Sequence, residues 1–212
     1  MADRKTATQI MKKKAAIKAE LDRRLPDCSE TSSQEQADAL WHQATEKLAS
    51  IMESYADLPK GMRPHTDMRV FPSAAIYLTV KERLGEKEAF SVIEDAAVKL
   101  TAGLAQKLAG LMRLPGMRGL FIRIWDPMTR RIFGPDNGFK NRFYPKAKGE
   151  YRMDILACPY CRYFTELGCP ELTRIFCEND ERMYGNLPGL SFERKGTLGK
   201  GADHCDFCIR RV

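Results

Sequence analysis

The sequence predicts an α+β protein: a helical N-terminal part, residues 1–135, packed on a four-stranded antiparallel sheet in residues 136–212, with two helices inserted between the strand pairs and the whole chain forming one domain. Two observations predict it. Before residue 134 apolar residues recur at helical spacing in an Ala- and Leu-rich chain, whereas after Gly134-Pro135-Asp136-Asn137-Gly138 the texture turns aromatic and alternating. Helices in series followed by hairpins are the pattern of an α+β fold with an antiparallel sheet. At 212 residues the chain is long enough to bury a full core.

Each element has its own signal. Residues 6–25 read as a helix with Ile10, Ala15, Ile17 and Leu21 among lysines, closed by Pro26. Ser32 followed by Glu35 makes a capping box that opens a helix carrying Leu40, Trp41, Ala44, Leu48, Ile51, Met52 and Tyr55, with Leu58-Pro59-Lys60-Gly61 closing it. The stretch to His65 reads as a loop. Residues 74–84 form the next helix, stopped by Gly85, and residues 86–114 a long one ended by Pro115-Gly116; the two are expected to pack together. Residues 120–125 fit helix or strand, with helix preferred. Strands follow at 139–144 and 150–157, helices at 159–167 and 170–184, and strands at 190–198 and 204–211 joined through Gly199-Lys200-Gly201. Gly168-Cys169-Pro170 separates the two late helices, because Gly suits a left-handed C-terminal position and Pro the first helical turn.

Composition narrows the function. A hydrophobic fraction of 43% with 30% charged residues is ordinary for a soluble globular chain. No apolar run approaches the roughly 18 residues that span a bilayer, and no apolar signal core follows Met1-Ala-Asp-Arg-Lys. The expectation is a cytoplasmic protein with no membrane partner. The net charge of +7 is concentrated in residues 1–25, with eight Lys/Arg against three Asp/Glu, and in residues 111–152, with ten against three. No aromatic-interleaved recognition motif accompanies either stretch, so the expected partner is a small-molecule substrate and not nucleic acid. The sequence leaves a homo-oligomer open.

Six of the seven cysteines fall between Cys158 and Cys208, and an odd count without a secretion signal points to reduced thiols. Three chemistries compete for them. Cys158-Pro-Tyr-Cys161 and Cys205-Asp-Phe-Cys208 have the spacing of a zinc or iron–sulfur site. Against that set, 43 residues separate the pairs, and residues three apart on a regular strand point to opposite faces. A strand leading into Cys-Pro-Tyr-Cys at a helix start is also how glutaredoxins present a dithiol, although the βαβ opening that should surround it is missing. The third chemistry is nucleophilic or acid–base catalysis without cofactor. In the helix at 170–184, Leu172, Ile175, Phe176 and Met183 make a core stripe, and Thr173, Cys177, Asp180 and Tyr184 make a second stripe beside it. Cys205 shares its strand face with Asp203 and Phe207, so its reaction partners must come from elsewhere, for example Cys177 and Asp180. Each residue also has a bland reading: Cys177 and Cys205 as small buried hydrophobes, Glu171 as a first-turn acid favoured by the helix dipole.

The order Cys158-Pro-Tyr, Cys169-Pro-Glu171-Leu-Thr, Phe176-Cys177-x-x-Asp180, Phe192-x-Arg194, Thr197-Leu198-Gly199-x-Gly201 and Cys205-Asp206-Phe207 resembles the L-2-amino-thiazoline-4-carboxylic acid hydrolase family. More distantly, the closing Gly-x-x-x-Cys-x-Phe looks like small-molecule-binding domains of the 4-vinyl reductase type. Cys161 and Cys208 are not part of the family pattern. The resemblance implies opening of a cyclic amidine by water to give a carbamoyl cysteine, with a proton delivered to the ring nitrogen. On that reading Asp180 is the candidate base, Cys177 and Cys205 are nucleophile or proton donor, and Glu171 is the partner of the cationic amidine. Arg194 holds the substrate carboxylate, and Thr173, Tyr184, Asp203 and Phe207 line the site. The alternative is a non-catalytic module that binds a small molecule or a metal, the latter through Cys158, Cys161, Cys205 and Cys208.

Overall fold

The computed structural model describes residues 3–25 and 32–212. Pro26, expected to close the first helix, and Cys28 lie outside them. The single helix expected over 6–25 is two, α1 (Asp3–Lys12) and α2 (Ala15–Arg24). Between them the backbone tightens to i→i+3 bonds, Lys13 to Ile10 and Lys14 to Met11, while Lys14 Nζ reaches inward to the Met68 carbonyl at 2.6 Å. Burial and the charges of Arg69 and Lys13 lower the pKa of this lysine to about 8.

Helix α3 (Ser33–Ser54) opens on the predicted capping box, with Ser32 Oγ accepting from the Glu35 amide and the Glu35 carboxylate accepting from the Ser32 amide. Its buried face carries the predicted Leu40, Ala44, Leu48, Ile51 and Met52. The loop expected up to His65 runs as far as Met62, and its last three residues are helical: α4 (Arg63–His65) runs through a π-helical turn, Thr66–Val70, into α5 (Phe71–Leu84), which starts ahead of the expected residue 74. Asp67 accepts from Arg63 at 3.0 Å and from the Thr66 hydroxyl at 2.9 Å, polar pairs internal to the widened turn. Gly85, at φ 85°, separates α5 from α6 (Glu86–Met112), and α5 packs most closely on α3. The ambiguous run at 120–125 lies inside α7 (Met117–Ile132), which buries Phe121, Ile122 and Trp125.

The strands are β1 (Lys140–Phe143), β2 (Glu150–Ala157), β3 (Leu190–Glu193) and β4 (Cys205–Arg211), with α8 (Pro159–Glu166) and α9 (Leu172–Tyr184) between β2 and β3. They form one antiparallel sheet in the order β1-β2-β4-β3, so the fold is α+β. β3 stops at Glu193, short of the expected residue 198, because the following segment leaves the ladder and hydrogen-bonds to the Asp206 side chain.

The chain contacts group into two compact units that do not divide at residue 135. The first comprises Met1–Ala97 and Tyr163–Leu172, the second Val98–Arg162 and Thr173–Val212, so α6, α8 and α9 contribute residues to both. In the first, Phe71, Ile76, Tyr77, Leu48, Tyr163 and Phe164 are fully buried, and the rings of Tyr55, Phe71 and Tyr163 meet at 5.0–5.8 Å. In the second, α7 packs on β2 and β4, where Trp125, Tyr184, Phe192 and Phe207 form an aromatic cluster with centroid distances of 4.9–6.4 Å. Among the described residues no helix is long and apolar enough to cross a membrane.

Ile175 of α9 is fully buried. Ile175→Ala is expected to cost about 2–5 kcal/mol, seen as a lower urea midpoint with an unchanged slope.

Candidate active site

Cys177 and Cys205 meet. Cys177 is half-buried on α9 and Cys205 is buried at the first position of β4. The Cys205 S–H donates to the Cys177 sulfur, and the Cys205 sulfur accepts the Leu198 amide at 3.2 Å. The Gly199 amide also donates to Cys177, and the Thr197 hydroxyl, buried and without a partner at ordinary hydrogen-bond distance, faces the same sulfur. Residues 197–199 therefore wrap the two sulfurs, with two amides donating and the Thr197 hydroxyl beside them. Gly199 is required there: a Cβ at that position would lie 2.8 Å from Thr173 Cγ2 and 2.9 Å from Cys177 Sγ.

These contacts set the ionisation. The Cys205 S–H lowers the Cys177 pKa, burial opposes it, and the Thr197 hydroxyl, the Gly199 amide and the Arg194 charge lower it further, bringing it to about 7. Cys205 is pushed far up by the same shared proton and by burial. One proton between two sulfurs thus leaves a thiolate at Cys177 near neutral pH, with a thiol beside it.

The loop is held by Asp206, whose two oxygens accept the Lys195 amide at 2.9 Å each and whose Oδ1 accepts the Gly196 amide at 2.8 Å. Burial raises its pKa, but the amides of Gly196 and Lys195 outweigh burial and hold the carboxyl below its ordinary range. Sequence reasoning missed Asp206, Thr197 and the amides of Leu198 and Gly199 as working parts. The only signal for them was the Thr-Leu-Gly-x-Gly and Cys-Asp-Phe patterns themselves.

The remaining expected site residues are placed differently. Asp180 does not stand as an isolated base; it accepts from Arg194 Nη2 at 2.7 Å. The Arg194 side chain is only 3% exposed. Its other nitrogens donate to the Cys177 carbonyl at 2.9 Å and the Asp206 carbonyl at 3.4 Å, so it is not a clamp held out for a substrate carboxylate. A buried guanidinium needs internal acceptors, and the protein supplies three. Thr173 is buried, its methyl against Gly199 and its hydroxyl donating to Cys161. Tyr184 and Phe207 belong to the aromatic cluster of the same unit. Asp203 is 90% exposed and pairs with His204 at 2.6 Å; the strand begins only at Cys205, so alternation does not carry Asp203 onto the Cys205 face. Glu171 falls in the first unit, where the Tyr77 hydroxyl donates to it.

The four thiols considered for a metal do not gather. Cys158 donates to Cys161, Cys205 to Cys177, and Cys208 lies among the charges of Arg210, Glu150 and Glu193. The alternation of β4 puts Cys205 and Cys208 on opposite faces, as expected. Among the described residues no three His, Cys, Asp or Glu side chains converge as a metal-binding group.

Alkylation of Cys177 by iodoacetamide should follow an apparent pKa near 7, rising with pH as the thiolate forms. Cys205→Ala removes the strongest donor and should shift that midpoint upward, and Asp206→Ala should shift it the same way by loosening the loop. Peptide-resolved labelling across pH 5–10 checks both.

Comparison with known proteins adds the last observation. No curated protein and no solved structure matches the chain. A family model described as L-2-amino-thiazoline-4-carboxylic acid hydrolase matches residues 63–209, reaching from α4 to β4. The match spans most of the 212 residues and takes in both sulfurs, the loop that wraps them and much of the helical part, and on it the chain belongs to the L-2-amino-thiazoline-4-carboxylic acid hydrolase family.

Proposed function

We propose that the protein hydrolyses a ring C–N bond of a small cyclic amidine related to 2-aminothiazoline-carboxylate, with Cys177 as nucleophile and Cys205 as proton carrier. The observation that supports this reading is the half-buried Cys177 sulfur, which receives the Cys205 S–H and the Gly199 amide at the edge of α9. A thiolate with a neighbouring thiol is a nucleophile with its own acid.

The Cys177 sulfur adds to the amidine carbon, and the C=N electron pair moves to the ring nitrogen, which takes the Cys205 proton. The exocyclic nitrogen then re-forms a C=N bond as the ring C–N bond breaks, and one of its protons passes to the departing amine. A thioimidate on Cys177 remains. Water adds across its C=N bond, oxygen to carbon and one proton to nitrogen; the C–S bond to Cys177 then breaks with its pair returning to sulfur, and the remaining hydroxyl proton restores the Cys205 S–H. The carbon leaves as a carbamoyl group, and the sum is substrate plus water. In this scheme Arg194 and Asp180 position α9 against the loop and keep positive charge beside the sulfurs, while Thr197 supplies a further donor for developing charge.

Cys177→Ala should reduce turnover of 2-aminothiazoline-4-carboxylate to background, and Cys205→Ala should reduce it about 10²–10⁴-fold, the usual worth of a positioned proton donor. Rapid quench of the wild type with intact-mass analysis should catch the thioimidate. Full turnover by Cys177→Ala would refute the assignment.

A further inference from the structure

The proposed hydrolysis leaves one pair of thiols unused. β2 runs into α8, with Cys158 immediately before the first helical residue, Pro159. The Cys158 carbonyl accepts the Arg162 amide at 3.1 Å, so Cys158 and Cys161 sit three residues apart on the first turn, on one side of the helix. The Cys158 S–H donates to the Cys161 sulfur. Both residues are half-buried, whereas Cys205 is 6% exposed and its sulfur holds the Leu198 amide. The helix-start amides of Tyr160 and Cys161 donate to the Cys158 sulfur, whereas Cys161 receives the Cys158 S–H and the Thr173 hydroxyl, and with these two side-chain donors Cys161 is the member of the pair held as the better thiolate. Its pKa is lowered first by the Cys158 S–H, against burial and the neighbouring Cys177 charge, while that of Cys158 is raised.

We infer that Cys158 and Cys161 are a redox-active dithiol, distinct from the hydrolytic thiols, that closes to a disulfide on reaction with a hydroperoxide and is reopened by a small dithiol. The Cys161 thiolate attacks one peroxide oxygen; an S–O bond forms, the O–O bond breaks, and the leaving alkoxide or hydroxide takes a proton. The Cys158 sulfur then attacks Cys161, the S–S bond forms, the S–O bond breaks, and hydroxide leaves with the Cys158 proton as water. Two electrons pass from the two sulfurs to the peroxide. An external dithiol reverses the closure by exchange and becomes a disulfide itself.

Reading the thiols directly makes the test independent of amidine turnover. Fully reduced full-length protein is treated with equimolar hydrogen peroxide, blocked with iodoacetamide and digested with trypsin, which releases residues 153–162 with both cysteines in one peptide. The expected result is that peptide unalkylated and lighter by two hydrogens, returning to the doubly alkylated form after dithiothreitol. Cys158→Ser should instead leave a sulfenic acid on Cys161 that dimedone captures, and Cys161→Ser should give neither product in that peptide. Oxidation confined to Cys177 and Cys205, or equal dimedone capture at Cys158 and Cys161 in the two single variants, would overturn the inference.

Discussion

The Asp206 carboxylate, gripping the amides of Lys195 and Gly196, is the constraint on which the candidate site depends. It stands on β4 and fastens the segment that has just left β3, so the chain turns back over its own sheet. That return delivers the Leu198 and Gly199 amides and the Thr197 hydroxyl to the two sulfurs. A free loop would have to lose about 1–2 kcal/mol of backbone entropy per residue to hold such donors in place. A carboxylate bonded to successive amides does this ordering before any ligand arrives. Gly199 completes the fit, since the backbone passes too close to Thr173 and Cys177 for a side chain.

Electrostatics in the site follow from sharing. Cys177 and Cys205 hold one proton between them near neutrality, and the acceptor of that proton's hydrogen bond is the sulfur with the additional donors. Arg194 adds positive charge from a buried position and is itself neutralised by Asp180 and by two carbonyls. The carboxylate and guanidinium that residue types alone offer as base and substrate clamp are each other's partners. The proposed proton traffic therefore runs through sulfur. Breaking the Arg194–Asp180 pair would leave a buried charge uncompensated, which is costlier than an exposed ion pair is stabilising.

The same logic is repeated at Cys158 and Cys161, where a thiol again donates to its neighbour and leaves the neighbour more acidic. Thr173 touches both arrangements, its hydroxyl on Cys161 and its methyl at Gly199. Cysteines crowded into one segment thus divide into pairs by the elements that carry them: a helix start for one, a helix edge facing a strand for the other.

Much of the fold was legible in the sequence because helical and strand periodicity, the Ser32–Glu35 capping box and the Gly and Pro breaks are local signals. The pattern from Cys158 to Phe207 was enough to point to the family, and the opposite facing of Cys205 and Cys208 followed from strand alternation alone. The break at Lys14, the π-helical turn at Thr66–Val70 and the early end of β3 were not legible, because side chains distant in sequence or freed backbone groups decide them. Which residues make the site was likewise a tertiary matter. Backbone amides leave no mark in a sequence, and the pairing of Arg194 with Asp180, the exposure of Asp203 and the bond between Tyr77 and Glu171 depend on where folding carries each group. Sequence by itself determined the elements and the thiols available; only the tertiary structure decided which thiol is a thiolate, because a pKa is set by what lies within hydrogen-bond reach and by burial, neither of which is a property of the residue alone.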